Sequence, residues 1–203
     1  MAGLCGRMVF VVLEGFSGTG KTTLAQRLEK RGWLRLQESA HALPDHVPVA
    51  DRGDTSSDYS LVGATLTYTS TISRLRGTRD VVSEGYLLSD LAYAKIRFEL
   101  KKSKAYPGML ALCRDVLTIP AMRPDLYILL EAGPKTIGDR QVAKNERDRN
   151  STEFFRARYY TALAEIHAEL NETSIEKLYA DSDTERTFEG VLAAIEKKSV
   201  VDR

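Results

Sequence analysis

The chain has 203 residues, of which 43% are apolar, and its formal net charge at pH 7 is only +1. This size suits one α/β domain with a full core, spanning residues 1–203, and is too small for two. The balanced charge argues against a nucleic-acid partner, which normally binds a basic patch. No apolar run reaches the ~20 residues that cross a bilayer, and Cys5 and Cys113 are far apart. A cytoplasmic protein without membrane segments or disulfides is therefore expected.

Short apolar runs alternate with helical stretches along the chain, which predicts a parallel sheet covered by helices on both faces. Strands are predicted over residues 8–13, 33–37, 80–83, 125–130 and 175–180. Helices are predicted after Gly20, over residues 61–76, 89–102, 108–118 and 134–143, from Ser151 onwards, and after Ser182. Ser182 and Glu185 have the spacing of a capping box. Residues 42–59, rich in Pro, Asp and Ser, are predicted to form an irregular loop.

Residues 15–22 read Gly-Phe-Ser-Gly-Thr-Gly-Lys-Thr and match the phosphate-loop pattern GxxxxGK followed by Ser or Thr. The context also fits, because a buried strand precedes the loop and an amphipathic helix follows it. Glycines let backbone N–H groups point at phosphate oxygens, and the helix N-terminus adds partial positive charge. Lys21 is expected to reach the β- and γ-phosphates, and Thr22 to bind Mg²⁺. The predicted ATP contacts are Gly15, Ser17, Gly18, Thr19, Gly20, Lys21, Thr22 and Thr23.

The phosphate loop alone does not separate kinases from molecular switches and motors. GTPase switches normally carry the patterns NKxD and DxxG, and neither occurs anywhere in this chain. The chain is also shorter than a typical motor ATPase. The sequence therefore favours a kinase that acts on a small molecule.

The chain resembles the thymidylate kinases over most of its length. The matching segments are residues 10–15, the loop, 23–28, 81–93, 123–131, 140–149 and 180–182. The resemblance implies a five-stranded parallel sheet of the nucleoside-monophosphate-kinase type, with strand order 2-3-1-4-5, ATP and Mg²⁺ as cofactors, and a lid at about residues 140–150. Deoxynucleoside kinases share this fold and are the competing relatives.

Four further residues are candidates for catalysis. Glu84 ends the third predicted strand beside the loop, where a carboxylate can hold Mg²⁺ or orient the acceptor. Glu38 follows the second strand, at about the place where deoxynucleoside kinases carry a glutamate that takes the proton from the attacking hydroxyl. Arg140 and Arg147 fall in the segment that resembles the lid, where arginines stabilise the charge of the transferring phosphoryl group.

One departure from the thymidylate kinases bears on the acceptor. That family has an arginine after the motif carboxylate, where it grips the acceptor's phosphate, but this chain has Gly85. A doubly charged acceptor would be poorly neutralised without such an arginine. Three hypotheses stay open: a nucleotide kinase, a kinase for a nucleoside or another small alcohol, and a nucleotide-binding regulatory protein with a degenerate acceptor site. The sequence does not decide between a monomer and a homodimer.

Overall fold

A computed structural model of the chain describes residues 8–38, 54–75, 78–143, 153–170, 175–180 and 183–201. It contains one sheet of five parallel strands in the order β2-β3-β1-β4-β5, as the sequence predicts. The strands are β1 (Phe10–Glu14), β2 (Leu34–Leu36), β3 (Val81–Glu84), β4 (Leu126–Glu131) and β5 (Ile175–Tyr179).

Seven α-helices connect and cover these strands in the described residues. They are α1 (Lys21–Glu29), α2 (Thr55–Leu75), α3 (Leu87–Glu99), α4 (Tyr106–Leu117), α5 (Pro134–Ala143), α6 (Glu153–Leu170) and α7 (Thr184–Val201). A short 3₁₀ helix, Pro120–Met122, was not predicted and leads into β4. None of the described helices is long and apolar enough to cross a membrane.

The prediction of an irregular loop over residues 42–59 is wrong at its end, because α2 begins at Thr55. Asp54 explains this early start, since its Oδ1 accepts hydrogen bonds from the N–H and the hydroxyl of Ser57, at 2.8 and 2.9 Å. A side-chain acceptor of this kind satisfies an N–H group of the first helical turn. Residues 42–53 lie outside the described residues.

The start of α7 also differs from the predicted capping box. Asp183 Oδ1 accepts the N–H of Glu185 at 2.8 Å, so Asp183 caps the described helix. Ser182, the residue predicted for this role, lies outside the described residues. Both aspartate and serine are good N-cap residues, and spacing alone does not select between neighbours.

Apolar side chains fill both faces of the sheet. Phe10 and Val12 of β1 pack into one cluster, with α2, α3, α4 and α6. Val11 and Leu13 point the other way, into a second cluster with α1 and α7. A strand buried on both faces is typical of a parallel sheet between helices. The loops at the carboxyl ends of the strands are left to form a site.

Candidate active site

The loop between β1 and α1 makes a tight turn at the carboxyl edge of the sheet. Gly15, Gly18 and Gly20 have φ values of 148°, 87° and 102°, which glycine adopts at little steric cost. A Cβ atom on Gly15 would lie only 2.6 Å from the carbonyl oxygen of Leu130. The backbone therefore needs glycine here, and the tight loop expected from the glycine spacing is present.

Lys21, the first residue of α1, connects this loop to the end of β2. Its side chain is buried, and Nζ donates a hydrogen bond to the carbonyl oxygen of Gly15 at 2.7 Å. The same Nζ lies 4.0 Å from Oε2 of Glu38. The predicted phosphate-binding lysine and the predicted general base thus lie side by side.

Thr22 and Glu84 place two oxygen donors beside the loop. The Thr22 hydroxyl donates to Oε2 of Glu84 at 2.5 Å, and Nε of Arg35 donates to Oε1 at 2.5 Å. Hydroxyl and carboxylate oxygens are ligands that Mg²⁺ prefers, so the residues present fit the ion expected from the sequence. Arg35 was not predicted as a site residue. The sequence pattern that could have indicated it is a single cation between two leucines of a strand, Leu34 and Leu36.

The protein donors for a metal are few. Within the described ranges, no three His, Cys, Asp or Glu side chains cluster closely enough to hold a metal ion. Mg²⁺ is commonly bound by one or two protein oxygens together with water and substrate phosphates. Thr22 and Glu84 match that mode of binding.

Arg140 ties the loop to the end of β5. Its guanidinium donates to the carbonyl oxygens of Gly18, Thr19 and Ala180, at 3.3, 3.2 and 3.0 Å. This predicted lid residue therefore lies against the phosphate loop. Arg147, the second predicted lid arginine, lies outside the described residues.

A cavity of about 290 Å³ runs along these residues. Its wall contains residues 17–23 of the loop and α1, together with Glu38, Arg140, Ala180, Thr184 and Thr187. The cavity brings together most of the predicted site residues. Gly15 and Glu84 are not part of its wall, but each accepts a hydrogen bond from a wall residue, Gly15 from Lys21 and Glu84 from Thr22. Its volume is near the lower end of the range for small-molecule sites.

Solved structures of nucleotide-metabolising kinases share this architecture. A thymidylate kinase from Candida albicans matches with a TM-score of 0.71 and 16% sequence identity, covering 96% of this chain and 94% of that one. The fold is that of the P-loop nucleoside and nucleotide kinases. A deoxyadenosine kinase from M. mycoides with bound dCTP matches with a TM-score of 0.65 and 15% identity, covering 93% and 99%. No model of a protein family matches the chain, and no curated protein sequence matches it significantly.

Within this kinase fold, Glu14 is an additional residue that sequence reasoning did not single out. It ends β1 and has no exposed surface, and its Oε2 accepts a hydrogen bond from Ser89. Its Oε1 has no hydrogen-bond partner in the described residues. Burial raises the pKa of Glu14 to about 8, although the Ser89 hydrogen bond and the charge of Lys21 oppose this rise. Its signal in the sequence is a carboxylate that directly follows an apolar strand.

Gly85 shapes the corner between β3 and α3. Its φ of +71° lies in the left-handed region, where a side chain is strained. The Cβ position of Gly85 would be 3.4 Å from Oγ of Ser89 and 4.0 Å from Cγ of Glu38. The hydroxyl of Ser89 and the side chain of Glu38 therefore border the position at which thymidylate kinases carry their arginine.

Proposed function

We propose that this protein is an ATP-dependent kinase that phosphorylates a hydroxyl group of a nucleoside or a nucleotide-like small molecule. The observation that carries the proposal is the pairing of Lys21 Nζ with Glu38 Oε2, 4.0 Å apart, on the wall of one cavity with the phosphate loop. The similar solved structures are named as a thymidylate kinase and as a deoxyadenosine kinase with bound dCTP or dATP. Their names support a nucleoside or a nucleotide as the acceptor.

The donor side of the cavity suits a nucleoside triphosphate. Backbone N–H groups of the loop and the N-terminus of α1 would bind the phosphates, and Lys21 would neutralise their charge. The guanidinium of Arg140 lies between the loop and Ala180, since it donates to the carbonyl oxygens of Gly18 and Ala180. This position suits contact with the phosphates of ATP on the loop side and with its base on the Ala180 side. Mg²⁺, held through Thr22 and Glu84, would offset the negative charge of the phosphate oxygens.

On the acceptor side, the residues favour a neutral hydroxyl compound over a phosphorylated one. Gly85 supplies no cation at the position where thymidylate kinases have arginine, and Cγ of Glu38, next to its carboxylate, is 4.0 Å from the position that a Cβ atom would take. A carboxylate here would repel an acceptor phosphate at short range. The same carboxylate can accept a proton from a hydroxyl group. A nucleoside therefore suits this corner better than thymidylate does.

The proposed transfer needs few groups from the protein. The acceptor oxygen forms a bond to the γ-phosphorus as the bond from that phosphorus to the β,γ-bridging oxygen breaks, and ADP leaves. The hydroxyl proton passes to Glu38, and Lys21 and Arg140 stabilise the charge on the phosphate oxygens. Positioning and charge neutralisation account for most of the catalysis in such a reaction.

ADP release, measured with a panel of nucleosides, nucleoside monophosphates and other small alcohols, tests the proposal. We expect release with at least one nucleoside. Turnover with monophosphates alone would contradict the argument from Gly85. ATP binding without turnover on any acceptor would favour the regulatory protein with a degenerate acceptor site.

Glu38→Gln tests the general base directly. We expect kcat to fall by about 10²- to 10⁴-fold, with little change in the affinity for ATP. Glu131→Gln is the matched control, because Glu131 lies at the end of a strand, as Glu38 lies just beyond one, but it pairs with Lys177 outside the cavity wall. An unchanged kcat in Glu38→Gln would show that another group takes the proton.

We propose that residues 1–203 form one kinase domain that works in the cytoplasm. One sheet and two core clusters account for the strands and most of the apolar residues of the described ranges, which supports a single domain. A homodimer is compatible with this function.

A further inference from the structure

Arg35 lies in an unusual place for a cation. It is the central residue of β2 and lies opposite Val82 of β3 in the parallel register. Its neighbour Leu36 packs into the cluster beneath α3, so the alternation of a strand turns Arg35 to the other face, towards α1. Only 11% of its side chain is exposed. Arg35 is therefore held between the sheet and the helix that follows the phosphate loop.

The guanidinium of Arg35 faces a carboxylate whose two oxygens both have partners. Oε1 of Glu84 accepts from Nε of Arg35, and Oε2 accepts from the hydroxyl of Thr22, each at 2.5 Å. Only 2% of the Glu84 side chain is exposed. The second ion pair of Arg35 is longer, since its Nη1 lies 3.4 Å from Oε2 of the exposed Glu29. The plane of the Glu84 carboxylate is thus set by donors from two different elements, β2 and α1.

We propose that Arg35 is a positioning residue for the magnesium site: by holding Oε1 of Glu84, it keeps Oε2 directed at Thr22 and the phosphate loop. This inference rests on the proposed function, because it assumes that Thr22 and Glu84 serve Mg²⁺-ATP. Mg²⁺ demands near-octahedral geometry, so a carboxylate near it must have a defined orientation. Groups that orient metal ligands from behind typically contribute about 10- to 100-fold to metal affinity.

Simple charge compensation is the competing explanation for this ion pair. A buried carboxylate without a cation is strongly destabilising, so Arg35 could support the fold and nothing more. The two roles differ in what they predict. Replacing a purely structural residue would change the nucleotide affinity equally with and without metal. Replacing a positioning residue would change only the gain in affinity that Mg²⁺ provides.

Calorimetric titration with AMPPNP, an ATP analogue that resists transfer, separates these roles. The affinity is measured in excess Mg²⁺ and again in EDTA, and the ratio of the two affinities is compared between variants. For Arg35→Gln we expect this ratio to fall by about 10- to 100-fold, while the affinity in EDTA stays as in the unaltered protein. Arg35→Lys, which keeps the charge but lacks Nε–H, should show a smaller loss.

The control and the double variant make the test specific. Arg27→Gln removes another α1-region cation, paired with the exposed Glu185, and should leave the ratio unchanged. In a Glu84→Gln background, Arg35→Gln should have little further effect, because the oriented group is already altered. At saturating Mg²⁺, the kcat of Arg35→Gln should recover towards that of the unaltered protein.

Three results would overturn the inference. One is an unchanged ratio in both Arg35 variants. Another is an equal loss of affinity in Mg²⁺ and in EDTA, which would identify a structural role, and a third is full additivity with Glu84→Gln. Failure of the proposed function looks different, because the unaltered protein itself would then show no Mg²⁺-dependent binding of AMPPNP.

Discussion

The buried carboxyl group of Glu14 makes the stability of this protein depend on pH. The folded chain keeps the Glu14 proton up to a pKa of about 8, whereas the ordinary value for an unfolded chain is 4.5. Between these values the unfolded state binds fewer protons than the folded state, so the free energy of unfolding falls as the pH rises. The contribution of the protonated Glu14 is complete below pH 4.5 and is lost as the pH passes through 8.

The size of this effect follows from the two pKa values. Each pH unit between them costs about 1.4 kcal/mol, so the range from pH 5 to pH 8 corresponds to about 3 to 4 kcal/mol. With a urea m-value of about 2 to 3 kcal/mol per M, the midpoint of unfolding should move by about 1.5 M. Glu14→Gln removes the titrating group and keeps a side chain of similar shape, and should flatten this slope.

Urea unfolding at pH 5, 6, 7 and 8 provides the measurement. Glu165→Gln is a suitable control, because hydrogen bonds from Arg158 and Lys95 lower the pKa of Glu165 to about 2. Glu165 is ionised in both folded and unfolded chains above pH 5, so its removal should leave the slope unchanged. Equal slopes in the unaltered protein and in Glu14→Gln would refute the argument, and would mean that Glu14 is already ionised in the folded chain at neutral pH.

Three further predictions concern the loop and the core. Lys21→Ala should lower kcat by at least about 100-fold in the ADP-release assay, and full activity would show that the loop is not catalytic. Gly15→Ala should abolish ATP binding in calorimetry, because its Cβ would lie 2.6 Å from the Leu130 carbonyl oxygen; normal affinity would contradict the close approach. Asp58→Ala should cost about 3 to 5 kcal/mol in urea unfolding, because it leaves Arg97 as a buried charge without its carboxylate partner. A loss below 1 kcal/mol would mean that water reaches this pair.

The sheet and the loop could be predicted from the sequence because their signals are local. Apolar runs mark buried strands, and the spacing of Gly15, Gly20 and Lys21 leaves few alternatives to a phosphate loop. The order of the strands came from the resemblance to thymidylate kinases and is confirmed by the structure. The predicted starts of two helices were less accurate, because the side chains of Asp54 and Asp183 determine where the first turn begins.

The interactions that organise the site could not be predicted in this way. Arg35 is 49 residues from Glu84, and their contact depends on the register between β2 and β3. Glu14 meets Ser89, 75 residues away, only because β1 and the start of α3 converge. Sequence spacing carries no information about such pairs, whereas the structure shows each donor and acceptor. The short distance between Lys21 and Glu38 is consistent with their predicted roles, and the sequence alone does not reveal it.

Three carboxylates lie at the ends of β1 and β3 and just beyond β2, and each has different surroundings. Glu84 is fixed by Arg35 and Thr22, and Glu38 faces the cavity beside Lys21. Glu14 is buried, and its raised pKa keeps it neutral at pH 7. An ionised Glu14 would compete with phosphate for the Lys21 ammonium, since opposite charges attract strongly in a buried site. A neutral Glu14 would leave the Lys21 charge available for a phosphate group near pH 7, and the same ionisation that destabilises the fold at higher pH would then weaken the proposed phosphate site.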